Sequence, residues 1–171
     1  DSQSRHEYEN FIADGLDHYK PDLIVLAGWN FVFGKSFINH FRHIINLHPA
    51  LPGTFVGQNC IKKAYDAFTR GEIKFTGSMV HEVIPEVDKG NVITRVKVPI
   101  FNNDTFEILE KRVKDSEKGI IIQAIQLFIN NYNDVFIKNS ESNIHNGKVR
   151  RVEDVNNGLL LLSASDRLSA F

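Results

Sequence analysis

Three side chains form a set that could move a proton and hold a developing negative charge: Asn46, His48 and Asp88. Asn46 and His48 lie two apart in the apolar run Ile44-Ile45-Asn46-Leu47-His48, which reads as a strand. At a period of two, both side chains leave the same face. A carboxamide donor beside an imidazole can stabilise an oxyanion while the ring gives or takes a proton. Asp88 falls in a turn bounded by Pro85 and Gly90. A carboxylate brought near His48 would favour the imidazolium and fix the ring. Taken alone, Asn-x-His equally describes a strand-end cap, and an acidic turn closing in Lys-Gly is an ordinary solvated hairpin. The spacing leaves both readings open.

The other reactive side chains are weaker candidates. His40 and His43 are three apart on an expected helix, a metal-compatible spacing, but no carboxylate or cysteine completes a set, and they read as surface or packing residues. His81 falls within an expected strand and is either a core histidine or a wall of a site. Cys60 opens an expected helix, where the dipole could lower a thiol pKa; with no paired base, a structural role is the better reading. It is the only cysteine, so the chain holds no disulfide framework and no Cys-rich zinc site, and a reducing, cytoplasmic compartment is expected.

The elements that must position these residues alternate between helix and strand. Tyr8, Phe11, Ile12 and Leu16 make one face of a helix over Ser4–Tyr19, with Ser4 and Glu7 as a capping pair and Pro21 beyond its end. Leu23-Ile24-Val25-Leu26-Ala27 and Ile44–His48 look like strands buried on both faces, as in a parallel sheet. A short helix at Ser36–His43 lies between them. His48–Gly57 is a loop held by two prolines and two glycines. Ile61–Arg70 reads as a helix stopped by Gly71. Strands follow near Lys74–Val83 and Val92–Ile100. Asp104, paired with Glu107, starts a helix running to about Asn131. Residues 139–145 are polar and linker-like. Lys148–Val155 and Leu159–Ser163 could then form a hairpin around Asn156-Asn157-Gly158. Strands alternating with helices argue an α/β class with an open, mostly parallel sheet and flanking helices.

Composition narrows the function classes. Of the 171 residues, 42% are apolar and 24% charged, which excludes wholesale disorder, collagen and coiled coil. Twenty basic residues against twenty-one acidic ones give a net charge of −1, no footprint for nucleic acid or an anionic membrane. No apolar run approaches the ~20 residues that span a bilayer.

The run Ile45-Asn46-Leu47-His48-Pro49-Ala50-Leu51-Pro52-Gly53, preceded by Leu26-Ala27-Gly28-Trp29, resembles the active-site signature of the 10-formyltetrahydrofolate-dependent formyltransferases. Gly77-Ser78-Met79-Val80-His81, followed by Glu86-Val87-Asp88-Lys89-Gly90 and Val92-Ile93, is similar to the second signature of that family. The chain looks most like the fungal-type members that formylate glycinamide ribonucleotide in purine synthesis, over about residues 1–135. The resemblance implies that His48 is the general acid/base, that Asn46 holds the formyl oxygen, and that Asp88 orients His48. It assigns Arg5 to the folate glutamate tail, Asn30, Phe31, Val32 and Phe33 (with Asn46) to the folate, and Glu117 to the glycinamide substrate. The nucleophile is the substrate amine, so no metal is implied. The family often has arginine where this chain has Phe31. Rival readings are 10-formyltetrahydrofolate hydrolysis on the same fold, and a non-catalytic fragment.

The family opens with a strand and a Gly/Asn-rich phosphate loop. By the resemblance, Asp1 falls ~60 residues into the fold, at roughly 30 residues per strand–helix–strand unit. The chain is therefore expected to be an incomplete formyltransferase domain, inactive alone, with an unpaired edge on the Leu23–Ala27 strand. Asn146-Gly147-Lys148-Val149-Arg150 together with Leu160–Phe171 resembles the opening of the phosphoribosylaminoimidazole-succinocarboxamide (SAICAR) synthetases, which use ATP and magnesium. That likeness implies residues 1–138 as the formyltransferase domain, 139–145 as linker and 146–171 as the start of a synthetase-like domain. Gly147 and Lys148 would then lie on an ATP phosphate loop and Arg167 at the second substrate region. A bifunctional purine enzyme is expected, with oligomerisation possible.

Overall fold

A computed structural model describes residues 2–131, 144–146, 150–154 and 159–164, side-chain environments being given for residues 4–130. It divides into two compact units, Asp1–Asn46 with Val83–Pro85 and Ile137–Phe171, and Leu47–Glu82 with Glu86–Phe136. Among the described residues, no helix is long and apolar enough to cross a membrane.

The first unit is built on α1 (Ser2–Asp17), β1 (Leu23–Ala27), α2 (Lys35–His40) and the opening of β2 (Ile44–His48). Ser4 lies inside α1 rather than capping it, because the helix already starts at Ser2. β1 pairs in parallel with β2, Ile24 opposite Ile44 and Leu26 opposite Asn46. The continuous apolar run of β1 is buried along Leu23–Leu26, as a strand covered on both faces must be. Leu16, Ile24, Leu26, Phe33, Phe37, Phe41 and Ile44 form its core. Phe33 and Phe37 stack with ring centroids 3.8 Å apart.

The expected hairpin is present as β6 (Arg150–Asp154) against β7 (Leu159–Ala164), with β5 (Ile144–Asn146) added antiparallel on β6. β7 also runs parallel to β1, Leu23 opposite Leu159 through Ala27 opposite Ser163. The β1 edge expected to be unpaired is thus hydrogen-bonded along its whole length, and the sheet combines parallel with antiparallel pairs. Gly147, Lys148 and Arg167 lie outside the described residues.

The second unit carries α3 (Cys60–Thr69), the antiparallel pair β3 (Phe75–Glu82) and β4 (Val92–Pro99), and α4 (Phe106–Asn131). Ile61, Val98, Ile100, Leu109 and Val113 make its core. Gly71, with φ +77°, ends α3 in the left-handed conformation that favours glycine. Asp104 does not cap α4. Its carboxylate accepts the Phe101 N–H and two hydrogen bonds from Arg112, while Thr105 Oγ1 takes the Ile108 N–H at 3.4 Å. The arginine eight residues on draws Asp104 away, and the next hydroxyl takes over the cap.

A Cβ at Gly77 in β3 would run into the Val96 carbonyl oxygen of β4 and the Leu51 side chain. Gly77→Ala is therefore expected to cost about 2–4 kcal/mol, because backbone rather than a flexible side chain stands in the way. Thermal melts should show Tm lower by roughly 5–15 °C; an unchanged Tm would mean that β3 and β4 can part at no cost.

Candidate active site

The site is assembled at the end of β2. The turn that follows His48 is shaped by glycines in the left-handed region, Gly53 at φ +74° and Gly57 at φ +77°. Thr54 N–H and Oγ1–H both donate to the Leu51 carbonyl. The folded-back loop brings the Phe55 carbonyl to His48 Nε2 at 2.8 Å. It also turns the Gly57 N–H onto Asp88 Oδ2 at 2.9 Å.

Asp88 arrives from the β3–β4 connection and is itself left-handed, φ +57°, a conformation aspartate tolerates better than most residues. The base of that loop is closed by Glu82 N–H to the Asn91 carbonyl, and by Asn91 Nδ2–H to Glu82 Oε2 at 2.8 Å. Asp88 Oδ1 stands 3.5 Å from His48 Nδ1 and 3.5 Å from His81 Nε2. All three side chains are less than a tenth exposed. His81 donates its Nδ1–H to the Glu82 carbonyl at 2.7 Å.

The hydrogen bonds assign the ring protons. A carbonyl only accepts, so His48 Nε2 and His81 Nδ1 both carry hydrogen. The remaining nitrogen of each ring faces one carboxylate oxygen. Burial pushes the Asp88 carboxyl up, but the His81 side chain, the Gly57 N–H and the nearby imidazole charges outweigh it and hold it below the ordinary aspartate value. The cluster is therefore built around an ionised carboxylate between two imidazoles.

His81 was open between core and site on sequence; it belongs to this cluster, and its signal was its place on the strand that leads into the Asp88 turn. Cys60 is buried, with Sγ donating to the Gly57 carbonyl at 2.8 Å and lying 3.7 Å from His48 Nε2. Burial pushes its thiol pKa up, with Asp88 adding to the rise against the opposing Lys63. A buried, hydrogen-bonded thiol fits a structural role. His40 pairs with Asp17 at 2.8 Å on the surface. Among the described residues, no group of three or more His, Cys, Asp or Glu side chains could hold a metal ion.

Asn46 precedes His48 by two residues on β2. Glu117 on α4 takes a hydrogen bond from Ser78 Oγ at 3.3 Å. Burial raises its pKa. In the first unit, Arg5 NH2 donates to the Val32 carbonyl at 2.5 Å, and its guanidinium lies 5.6 Å from the Phe31 ring centroid. Phe31 and Phe33 meet edge to face with centroids 5.7 Å apart, and Trp29 stacks on Phe33.

The chain thus has an α/β fold with a buried imidazole–carboxylate pair at a strand end. Residues 1–125 match the family model described as formyl transferase, and the chain belongs to that family. It is similar to the phosphoribosylglycinamide formyltransferase of Dictyostelium discoideum, 43% identical over 74% of this chain and 65% of that protein. It is also similar to the trifunctional purine biosynthetic protein adenosine-3 of Gallus gallus, 34% identical over 72% of this chain and 12% of that protein. The crystal structure of phosphoribosylglycinamide formyltransferase from Streptococcus pneumoniae superposes with a TM-score of 0.67 at 28% identity, over 72% of this chain and 67% of that one. The chain spans 60–65% of the length of three phosphoribosylglycinamide formyltransferases that it matches.

Proposed function

We propose that the protein containing this chain transfers the formyl group of 10-formyltetrahydrofolate to the amine of glycinamide ribonucleotide, a step of purine synthesis. The single observation that carries the reading is Asp88, held by Gly57 and facing both His48 and His81. The amine nitrogen attacks the formyl carbon, and the carbonyl electron pair moves to oxygen. Asn46 holds that oxyanion. His48, with its ring proton on Nδ1 toward Asp88, takes the amine proton at Nε2 as its imidazolium forms, Asp88 stabilises that charge, and the proton passes to the folate nitrogen as its bond to the formyl carbon breaks. The ring ends as it began, and no metal enters. Arg5 takes the folate tail, Asn30–Phe33 the ring end, and Glu117 the glycinamide substrate.

The same reading extends to residues 139–171. A linker over 139–145 would join a synthetase-like domain starting at 146, with Gly147 and Lys148 at the phosphates of magnesium ATP and Arg167 near the second substrate. The trifunctional relative supports a formyltransferase fused to other purine activities.

The test is an assay of the full-length protein with 10-formyltetrahydrofolate, with and without glycinamide ribonucleotide. Tetrahydrofolate should form only with the amine present. Release of formate at an equal rate without it would establish hydrolysis instead.

A further inference from the structure

We infer that Glu9 is the positioning residue of the folate end of the site, setting Arg5 and the Trp29–Gly34 wall with one buried carboxylate. The inference rests on the reading of Arg5 and Asn30–Phe33 as folate residues. Glu9 lies in the middle of α1 and is only 5% exposed. An isolated buried carboxylate is costly, so its partners show what it is for. Its Oε1 accepts the Gly34 N–H at 2.7 Å and the Arg5 Nε–H at 3.1 Å. Arg5 stands four residues earlier on the same helix, which places the two on one face. Its NH2 in turn donates to the Val32 carbonyl. Helix and wall are thereby closed into one ring of hydrogen bonds: Arg5, Glu9, Gly34 and, two residues back along the chain, Val32.

Residue 34 fits this use. A Cβ there would stand 2.9 Å from Glu9 Oε2, so any side chain displaces the carboxylate. The wall is otherwise held by aromatic contact, Phe31 edge-on to Tyr8 with centroids 5.0 Å apart. Ring contacts fix its distance from α1 but not its register along the helix. Directional hydrogen bonds to a charged acceptor fix both. An acid beside Arg5 also weakens the attraction of an anionic tail. Were Glu9 only a counter-charge, its removal would tighten tail binding; as a positioning group, its removal loosens it.

The experiment compares Arg5→Ala, Glu9→Gln, Glu9→Ala and the double alanine variant in the full-length protein. It reads KM for 10-formyltetrahydrofolate with one and with several tail glutamates, together with kcat and Tm. Arg5→Ala and Glu9→Ala should each raise KM for the polyglutamate form about tenfold, or 1.4 kcal/mol, with kcat within about twofold. The double variant should be no worse than either single one, since each breaks the same unit. Glu9→Gln keeps the shape and an acceptor for Gly34, and should raise KM by a smaller factor. Additive effects of the two alanines, a fall in KM for Glu9→Gln, or a Glu9→Ala effect confined to Tm would each overturn the inference while leaving the folate reading intact. No change in KM on Arg5→Ala would overturn the folate reading, and this inference with it.

Discussion

His48→Ala is expected to lower kcat for formyl transfer by about two to four orders of magnitude, the range that positioned acid–base groups contribute. KM for the folate should move far less, because the proposed function gives the folate grip to Arg5 and Asn30–Phe33 rather than to this ring. On the proposed function, the geometry points to one ring nitrogen. Both are engaged within the chain, Nε2–H with the Phe55 carbonyl at 2.8 Å and Nδ1 facing Asp88. One must be released for a proton to reach substrate. A neutral N–H···O bond is worth only about 0.5–1.5 kcal/mol net, while a hydrogen bond to an ionised carboxylate is worth roughly twice that. The Phe55 contact is the one to give way: the ring proton moves to Nδ1, toward Asp88, and Nε2 is left free to take a proton from substrate. Because His48 is 4% exposed, alanine also leaves a small cavity, and a modest fall in Tm is expected alongside. A kcat within threefold of wild type would remove His48 from the chemistry, whatever happened to stability.

Much of this arrangement was legible in the sequence, and the parts that were not have physical reasons. The β2 span, Ile44–His48, follows directly from its apolar run. So do the α/β class, the His48–Gly57 loop and the glycine stop of α3. What a pattern cannot give is convergence across forty residues. That depends on Gly53, Gly57 and Asp88 all adopting positive φ, and sequence shows only that two of these are glycines. His81 stayed ambiguous because a strand histidine reads the same whether its face meets core or carboxylate. The cap of α4 differs through competition: Asp104 is a good capping residue, but Arg112 binds it more strongly. Glu9 is inconspicuous in the sequence, since an acid on a helix normally marks the solvated face. Its spacing from Arg5, on the turn that also carries Tyr8, was the available signal. The edge of β1 was expected to be bare because partners were sought among upstream strands, whereas the Leu159–Leu162 run supplies one from downstream.

Asp88→Asn separates charge from shape. Asparagine has nearly the same size, tolerates a φ of +57° at least as well as aspartate, and can still accept the Gly57 N–H. The fold should therefore survive, with Tm at neutral pH lowered by no more than a few degrees. The charge does not survive, and with it goes the stabilisation of an imidazolium forming 3.5 Å away. A fall in kcat of about two to four orders of magnitude is expected, comparable to that of losing the ring itself. The same variant reads out in the acid stability of the protein. Asp88 in the folded state is held below the ordinary carboxylate value by His81, Gly57 and the imidazole charges, against the opposing push of burial. A group with a depressed folded pKa contributes stability that is full above its unfolded pKa, near 3.9, and is lost as pH falls through the folded value. Melts between pH 7 and pH 3 should show part of the wild-type decline below about pH 4 missing in the variant. If Asp88→Asn instead kept kcat within threefold, hydrogen bonding alone would suffice at this position, and the carboxylate would be a structural clasp for the 82–91 loop rather than the partner of the acid–base histidine.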